Sequence, residues 1–237
     1  MKSIAVIPAR ISSTRLKEKP LIKLGGKPLI QLVWERACLL NSIEEVVVAT
    51  DSKKIQRIVE DFGGKCILSP DDLKSGSDRV YYVVSRFYND AELIVNIQSD
   101  EPFLDTDFLD FLISQAKEGD AGLYTAYFPI SDHEAQNRSY VKVVLNKNGE
   151  ALYFSRNPIP AGAHDYKKHI GIYIWRRDAL AMFHDSVQMP LELIENLEQL
   201  RVLENGGKIK VLESPKDFIS IDTPEDLEMA NIRLNED

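Results

Sequence analysis

Two cysteines, four histidines and two tryptophans are few for a chain of 237 residues. Cys38 and Cys66 form no C-x-x-C pair, which excludes a thiolate metal centre and a disulfide framework. Two reduced thiols in a cytosolic protein fit that count. His133, His164, His169 and His184 form neither an H-E-x-x-H pair nor any cluster of histidines. G-x-G is absent, which removes the dinucleotide fingerprint, and Gly25-Gly26-Lys27 lacks the flanking residues of a P-loop. No run of about 18 apolar residues occurs, so no membrane span is expected. The opening MKSIAVIPAR has too short an apolar run for a signal peptide and reads as a strand. Thirty-seven acidic against 29 basic residues leave a net charge of -8, which argues against a nucleic-acid binder. An acidic surface repels anions, so any anionic ligand has to be captured by a local cationic site.

What is present is a regular alternation. SIAVIPA, VVVAT, KCIL and ELIVNIQ read as buried strands. Between them lie helical patterns. One places Leu29, Ile30, Val33, Ala37 and Leu40 on a single face, and another does so with Val80, Val83, Val84 and Phe87. A third, following VVVAT, has Asp51 as its N-cap and Gly63-Gly64 as its stop. Short joints between these elements imply a parallel sheet with helices on both faces. Later, YVKVVLNKNGEALYFSR reads as a hairpin turning at Asn148-Gly149, and HIGIYIW as a strand. PLELIENLEQLRVLENGG reads as one helix, KIKVLES and FISI as late strands, and DTPEDLEMANIRL as a closing helix capped by Asp222 or Thr223. The reading is one domain over 1–237, with an inserted arm around 125–175.

Ligands of parallel α/β sheets bind at the carboxyl ends of the strands. After the first strand comes a basic, hydroxyl-rich loop holding Arg10, Ser12, Ser13, Thr14, Arg15, Lys17 and Lys19. It reads either as a solvated surface loop or as an anion site, since backbone N–H groups, hydroxyls and cations together suit phosphate. After ELIVNIQ come Ser99, Asp100, Glu101 and Pro102, and after FISI comes Asp222. Asp100 suits a Mg²⁺ ligand, a metal that takes one or two carboxylates plus phosphate oxygens and water, or a turn cap. Asp222 carries the same two readings.

IPARISSTRL…KPL, VVVATDS, SGSDR, IVNIQSDEP, VKVV, ALYFSR…IP, HIGIYIWRR, LEQLR and IDTPEDL occur in that order. In this the chain resembles the 3-deoxy-manno-octulosonate cytidylyltransferase (CMP-Kdo synthetase) family from Ile4 to about Leu227. The resemblance implies a Rossmann-like, GT-A-like nucleotidyltransferase sheet with an inserted β-hairpin dimerisation arm. It implies a cytoplasmic homodimer that converts CTP and Kdo to CMP-Kdo and pyrophosphate with Mg²⁺, for lipopolysaccharide. Pro8, Ala9, Arg10, Ser13, Arg15, Lys19, Ser75, Gly76, Arg79 and Gln98 would bind the nucleotide. Gln98, Arg156, His169 and Glu198 would face the sugar. Asp100 and Asp222 would hold the metal, and Lys19 and Arg15 would join them in catalysis. No nucleic acid or membrane partner is implied. An 8-amino-Kdo analogue or another 3-deoxy-ulosonic acid is the alternative acceptor, and an inactive nucleotide-sugar-binding module the alternative of another class.

Three features depart from the family pattern. Lys17 and Glu18 stand where relatives have Pro and Gly, and Glu18 is expected to point toward solvent or Lys17. Ser99 replaces a glycine, which would strain serine if that position requires positive φ. Only residues 161–168 separate Pro160 from His169, where many relatives carry a longer segment on the sugar side.

Overall fold

A computed structural model of the chain describes residues 1–12 and 16–234. Two compact units emerge, one formed by 1–110 with 218–237 and the other by 111–217.

The first unit contains β1 (Ser3–Ala9), the short strands β2 (Lys23–Leu24) and β3 (Lys27–Pro28), and α1 (Leu29–Ala37). It continues with β4 (Glu45–Thr50), α2 (Lys53–Asp61), β5 (Lys65–Leu68), α3 (Gly76–Phe87) and β6 (Leu93–Asn96). The division between the units falls within α4 (Thr106–Glu118). Strands β5, β4, β1 and β6 lie side by side and all parallel, with Val6 of β1 opposite Val47 of β4 and Asn96 of β6. Every residue of β1 is buried, as a strand covered on both faces requires. The α1 face is as expected: Leu29, Ile30, Val33 and Ala37 have no exposed surface. The α3 face holds at Val80, Val83 and Val84, but Phe87 at the end of the helix is exposed. Gly25 and Gly26, at φ 57° and 86°, make a tight hairpin turn between β2 and β3, which only glycine enters readily twice in succession.

Two local expectations are overturned here. Ser52, not Asp51, caps α2, and its Oγ accepts from the N–H groups of Lys54 and Ile55. That leaves the Asp51 carboxylate for other partners. The FISI segment forms no strand; the Ile221 N–H donates to the Asp100 carbonyl at 2.9 Å. The closing helix, Pro224–Leu234, still begins where expected. Leu24, Leu29, Ile221 and Ala230 share a small core, with Leu16 and Leu227 against it. This core anchors both the end of the basic loop and the start of the closing helix.

The second unit contains β7 (Leu123–Ile130), α5 (Asp132–Ala135), β8 (Lys142–Leu145), β9 (Ala151–Ser155) and β10 (Tyr166–Arg176). It ends with α6 (Arg177–Asp185), α7 (Pro190–Glu195), α8 (Leu200–Glu204) and β11 (Ile209–Glu213). Strand order is β11-β7-β10-β8-β9, with only the β11–β7 pair parallel. The β8–β9 hairpin turns through Gly149 at φ 72°, as the Asn-Gly signal implies. The single helix expected over PLELIENLEQLRVLENGG is two, α7 and α8. Asn196 takes a left-handed φ of 54° after Glu195 and ends the first helix there.

Candidate active site

In the first unit, the segment after β1 and the segment after β6 carry the charged residues. Lys19–Leu21 form a 3₁₀ turn with Pro20 in its second position, and Glu18 precedes it in the left-handed region at φ 52°. The Glu18 carboxylate lies at the exposed surface, as expected, where it pairs with Lys54 and is also stabilised by the charge of Lys17. Ser99 is not among the residues at positive φ, so the strain considered for it does not arise.

The 3₁₀ turn delivers Lys19. Its ammonium donates to the carboxylate of Asp100 and, at 2.6 Å, to that of Asp222. The lysine side chain is only 12% exposed. Burial opposes its charge, but the two carboxylates prevail and hold its pKa above the ordinary lysine value. The Asp222 cap reading is set aside: Thr223 Oγ1 accepts from the Asp226 N–H, and Asp226 Oδ2 accepts from the N–H groups of Asp222 and Thr223. Asp226 thus fixes the backbone of Asp222, whose carboxylate turns to Lys19.

Three of the predicted nucleotide residues lie close together. A methyl group added to Gly76 would lie 3.6 Å from Pro8 Cγ and 3.9 Å from Gln98 Oε1, so these three residues are in close apposition. Ser75 caps α3, accepting from the Asp78 N–H. The Gln98 amide donates to Asn96 Oδ1 at 3.3 Å. Ala9 is fully buried, and Arg10 donates to the Leu73 carbonyl. Arg79 is fully buried as well, with Nη1 on Ser69 Oγ and the Pro70 carbonyl and Nη2 on Asp51 at 3.1 Å. Burial and Arg10 push the Arg79 pKa down, and Asp51 opposes them. Asp51 also accepts from the Ile11 N–H at 3.2 Å, so one carboxylate ties the start of the basic loop to the Arg79 loop. Sequence reading missed this role because Asp51 sits where a helix cap is expected. Ser13 and Arg15 lie outside the described residues.

Arg156, His169 and Glu198 belong to the second unit. His169 is buried in β10, with Nε2 2.9 Å from Thr125 Oγ1. The single hydroxyl proton of Thr125 is directed at the carbonyls of Ile170 and Ile172, which assigns the imidazole proton to Nε2 and leaves Nδ1 an acceptor. Burial alone pushes the His169 pKa down to about 3, so the ring is neutral and offers hydrogen bonding rather than charge. Phe154 stands edge-on to it at 4.9 Å. Arg156 follows β9, and both of its main-chain polar groups are held: Glu195 accepts its N–H at 3.2 Å, and Lys142 donates to its carbonyl at 2.7 Å. Glu198 lies in the turn between α7 and α8. Beside it Gln199 is buried, its Oε1 accepting from the Tyr173 hydroxyl while its Nε2 has no hydrogen-bond partner among the described residues. The LEQLR motif contained that signal, but a buried amide donor is invisible without coordinates.

The chain as a whole is similar to known proteins. A sequence model described as cytidylyltransferase matches residues 4–211. The chain belongs to the cytidylyltransferase family. Among its relatives is the 3-deoxy-manno-octulosonate cytidylyltransferase of Acaryochloris marina, 41% identical, with 100% of this chain and 98% of that protein covered. The 8-amino-3,8-dideoxy-manno-octulosonate cytidylyltransferase of Shewanella pealeana is likewise 41% identical, with full coverage of both. A solved structure of CMP:2-keto-3-deoxy-manno-octonic acid synthetase complexed with CTP superposes with a TM-score of 0.93 at 38% identity. It covers 100% of this chain and 99% of that one. The chain is therefore a nucleotidyltransferase with the α/β nucleotidyltransferase fold. Such an enzyme is consistent with a divalent metal, and the residues present fit one. The Lys19 ammonium already sits between Asp100 and Asp222, so the pair is a site that takes positive charge. Among the described residues no group of three or more His, Cys, Asp or Glu forms a metal cluster, and no helix is long and apolar enough to cross a membrane. Two carboxylates plus substrate oxygens are what Mg²⁺ ordinarily takes.

Proposed function

We propose that the protein transfers CMP from CTP to the anomeric hydroxyl of 3-deoxy-D-manno-octulosonate, releasing pyrophosphate and CMP-Kdo. The observation that carries this reading is the pair Asp100 and Asp222, brought together on one ammonium at the nucleotide end of a cytidylyltransferase sheet. The acceptor oxygen bonds to the α-phosphorus as the bond from that phosphorus to the bridging oxygen of pyrophosphate breaks, and the hydroxyl proton is lost to solvent or phosphate. Phosphoryl transfer of this kind needs positioning and charge neutralisation above all. Arg10, Ser13, Arg15 and Lys19 hold the triphosphate, and Lys19 and Arg15 stabilise the charge that builds on the departing pyrophosphate. Pro8, Ala9, Ser75, Gly76, Arg79 and Gln98 frame the nucleoside, with Arg79 acting through the loop it orders. Asp100 and Asp222 would hold a Mg²⁺ ion, which would supply charge neutralisation at the phosphates and favour ionisation of the attacking hydroxyl. Arg156 pairs with the sugar carboxylate, and Glu198 and the neutral His169 bond its hydroxyls.

The enzyme works in the cytoplasm as a homodimer and feeds lipopolysaccharide synthesis. Leu152 on the hairpin and Leu193 and Ile194 on α7 are exposed, which supports an apolar contact between copies. The test is pyrophosphate release with CTP and Mg²⁺ across Kdo, its 8-amino analogue and sialic acid. Release with Kdo is expected. Release with the 8-amino analogue alone reassigns the sugar, a reading kept open by the Shewanella pealeana relative at the same identity as the Acaryochloris marina one. CTP binding without release from any sugar refutes the catalytic reading.

A further inference from the structure

The side chain of Lys142, in β8, has no exposed surface. Among the described residues no carboxylate forms a salt bridge with it. Its ammonium donates instead to three main-chain carbonyls, those of Asn137 at 3.1 Å, Tyr140 at 2.6 Å and Arg156 at 2.7 Å. That uses all three of its donor protons. Burial, then the nearby Arg156 and Arg138, push its pKa down to about 8, while Glu195 opposes them. An ammonium buried without a salt bridge is a costly way to fill space, and a methionine would fill it with less desolvation. What the ammonium adds is the three-way tie, which joins the residue after β9 to the 137–140 turn before β8.

Glu195 holds the other side of the same residue. Its carboxylate accepts the Arg156 N–H at 3.2 Å and the Ser155 hydroxyl at 2.9 Å. Arg156 therefore has its carbonyl fixed by a cation and its N–H by an anion, and its guanidinium donates to the Arg138 carbonyl at 3.3 Å. A long, flexible side chain gains most for anion binding when its root is immobilised beforehand, because less freedom is lost when the ligand arrives.

We propose that Lys142 is a positioning residue for the acidic sugar, locking the main chain of Arg156 so that its guanidinium meets the sugar carboxylate preorganised. This rests on the assignment of Arg156 to the sugar side, and the test separates the two. Pyrophosphate release by the full-length protein is followed while Kdo is varied at saturating CTP, and then the reverse. Lys142→Met is expected to raise KM for Kdo about tenfold or more, with KM for CTP and kcat at saturating Kdo within about twofold. In Lys142→Met/Arg156→Met the sugar KM should be no worse than in Arg156→Met alone, as expected when two residues act as a unit. If Lys142→Met does not fold, Lys142→Arg keeps the charge while displacing its donors, and a rise confined to the sugar KM gives the same support. Equal losses for both substrates, or an unchanged sugar KM while Arg156→Met raises it, overturn the proposal and leave the Arg156 assignment standing. An unchanged sugar KM in Arg156→Met overturns both.

Discussion

The LEQLR segment is held by a buried ion pair, and removing one member has a calculable effect. Arg201 and Glu192 are 1% and 4% exposed at the side chain. Arg201 Nε donates to Glu192 Oε2 at 2.7 Å and Nη2 to Oε1 at 2.6 Å, a bidentate pair. Nη1 also donates to the Phe183 carbonyl at 3.2 Å, and the guanidinium lies 3.9 Å from the centroid of the Phe183 ring. Arg201→Met preserves much of the volume but leaves the Glu192 carboxylate buried, with the Gln188 amide at 3.1 Å as its remaining side-chain donor. Breaking a buried pair on one side costs about 3–5 kcal/mol. In a domain of this size each kcal/mol lowers Tm by about 2–4 °C, so a drop of roughly 6–20 °C is expected. The assay is thermal unfolding followed by circular dichroism, with urea unfolding to give the free energy. Glu192→Met/Arg201→Met should recover most of the loss, because two apolar residues can replace a buried pair at little cost. A drop of less than about 2 °C in Arg201→Met, or a double variant less stable than the single, would refute the reasoning.

Three further outcomes follow from the same geometry. Asp100→Asn should lower kcat about 10²–10³-fold with little change in Tm, measured by pyrophosphate release; near-normal turnover would remove Asp100 from the site. His169 has its pKa pushed down to about 3 in the folded chain, so between that value and its ordinary 6.5 the unfolded chain binds more protons and stability falls as pH falls. From pH 7 to pH 5 this contributes a loss on the order of 1–2 kcal/mol, and His169→Gln should show a flatter pH dependence in urea titrations. Ser52→Ala should cost about 1 kcal/mol as a lost N-cap and leave turnover intact, whereas a stability unchanged from wild type would return the cap to Asp51.

The parallel core was legible because its strands are continuous apolar runs and its helices have clear faces. Val6, Val47 and Asn96 lie in register where the alternation of elements implied adjacent strands. The misreadings share a cause, which is that a local signal had two physical uses. Asp51 and Ser52 are both good caps; Ser52 takes the helix because Arg79 and the Ile11 N–H take Asp51. Asp222 and Thr223 are both good caps too, and Asp226 settles the matter by holding both of their N–H groups, so that Asp222 is left to Lys19. The apolar spacing of PLELIENLEQLR continues across Asn196, so periodicity alone could not show the left-handed residue that divides it. In the candidate site, Lys19, Asp100 and Asp222 were legible one by one from strand ends and motif resemblance. Their meeting on one ammonium was not, since 81 and 203 residues separate Lys19 from its two partners. The Lys142 tie was hidden for a different reason: its partners are main-chain carbonyls, which carry no residue signature.

The central claim is that CTP and Kdo are joined with loss of pyrophosphate. Phosphorus-31 NMR of the purified protein with CTP, Kdo and Mg²⁺ tests it most directly. The account predicts that the triphosphate resonances give way to one phosphodiester signal of CMP-Kdo and one of pyrophosphate in equal amounts. Unchanged CTP, or CTP hydrolysed to CMP and pyrophosphate without a sugar phosphodiester, would contradict it.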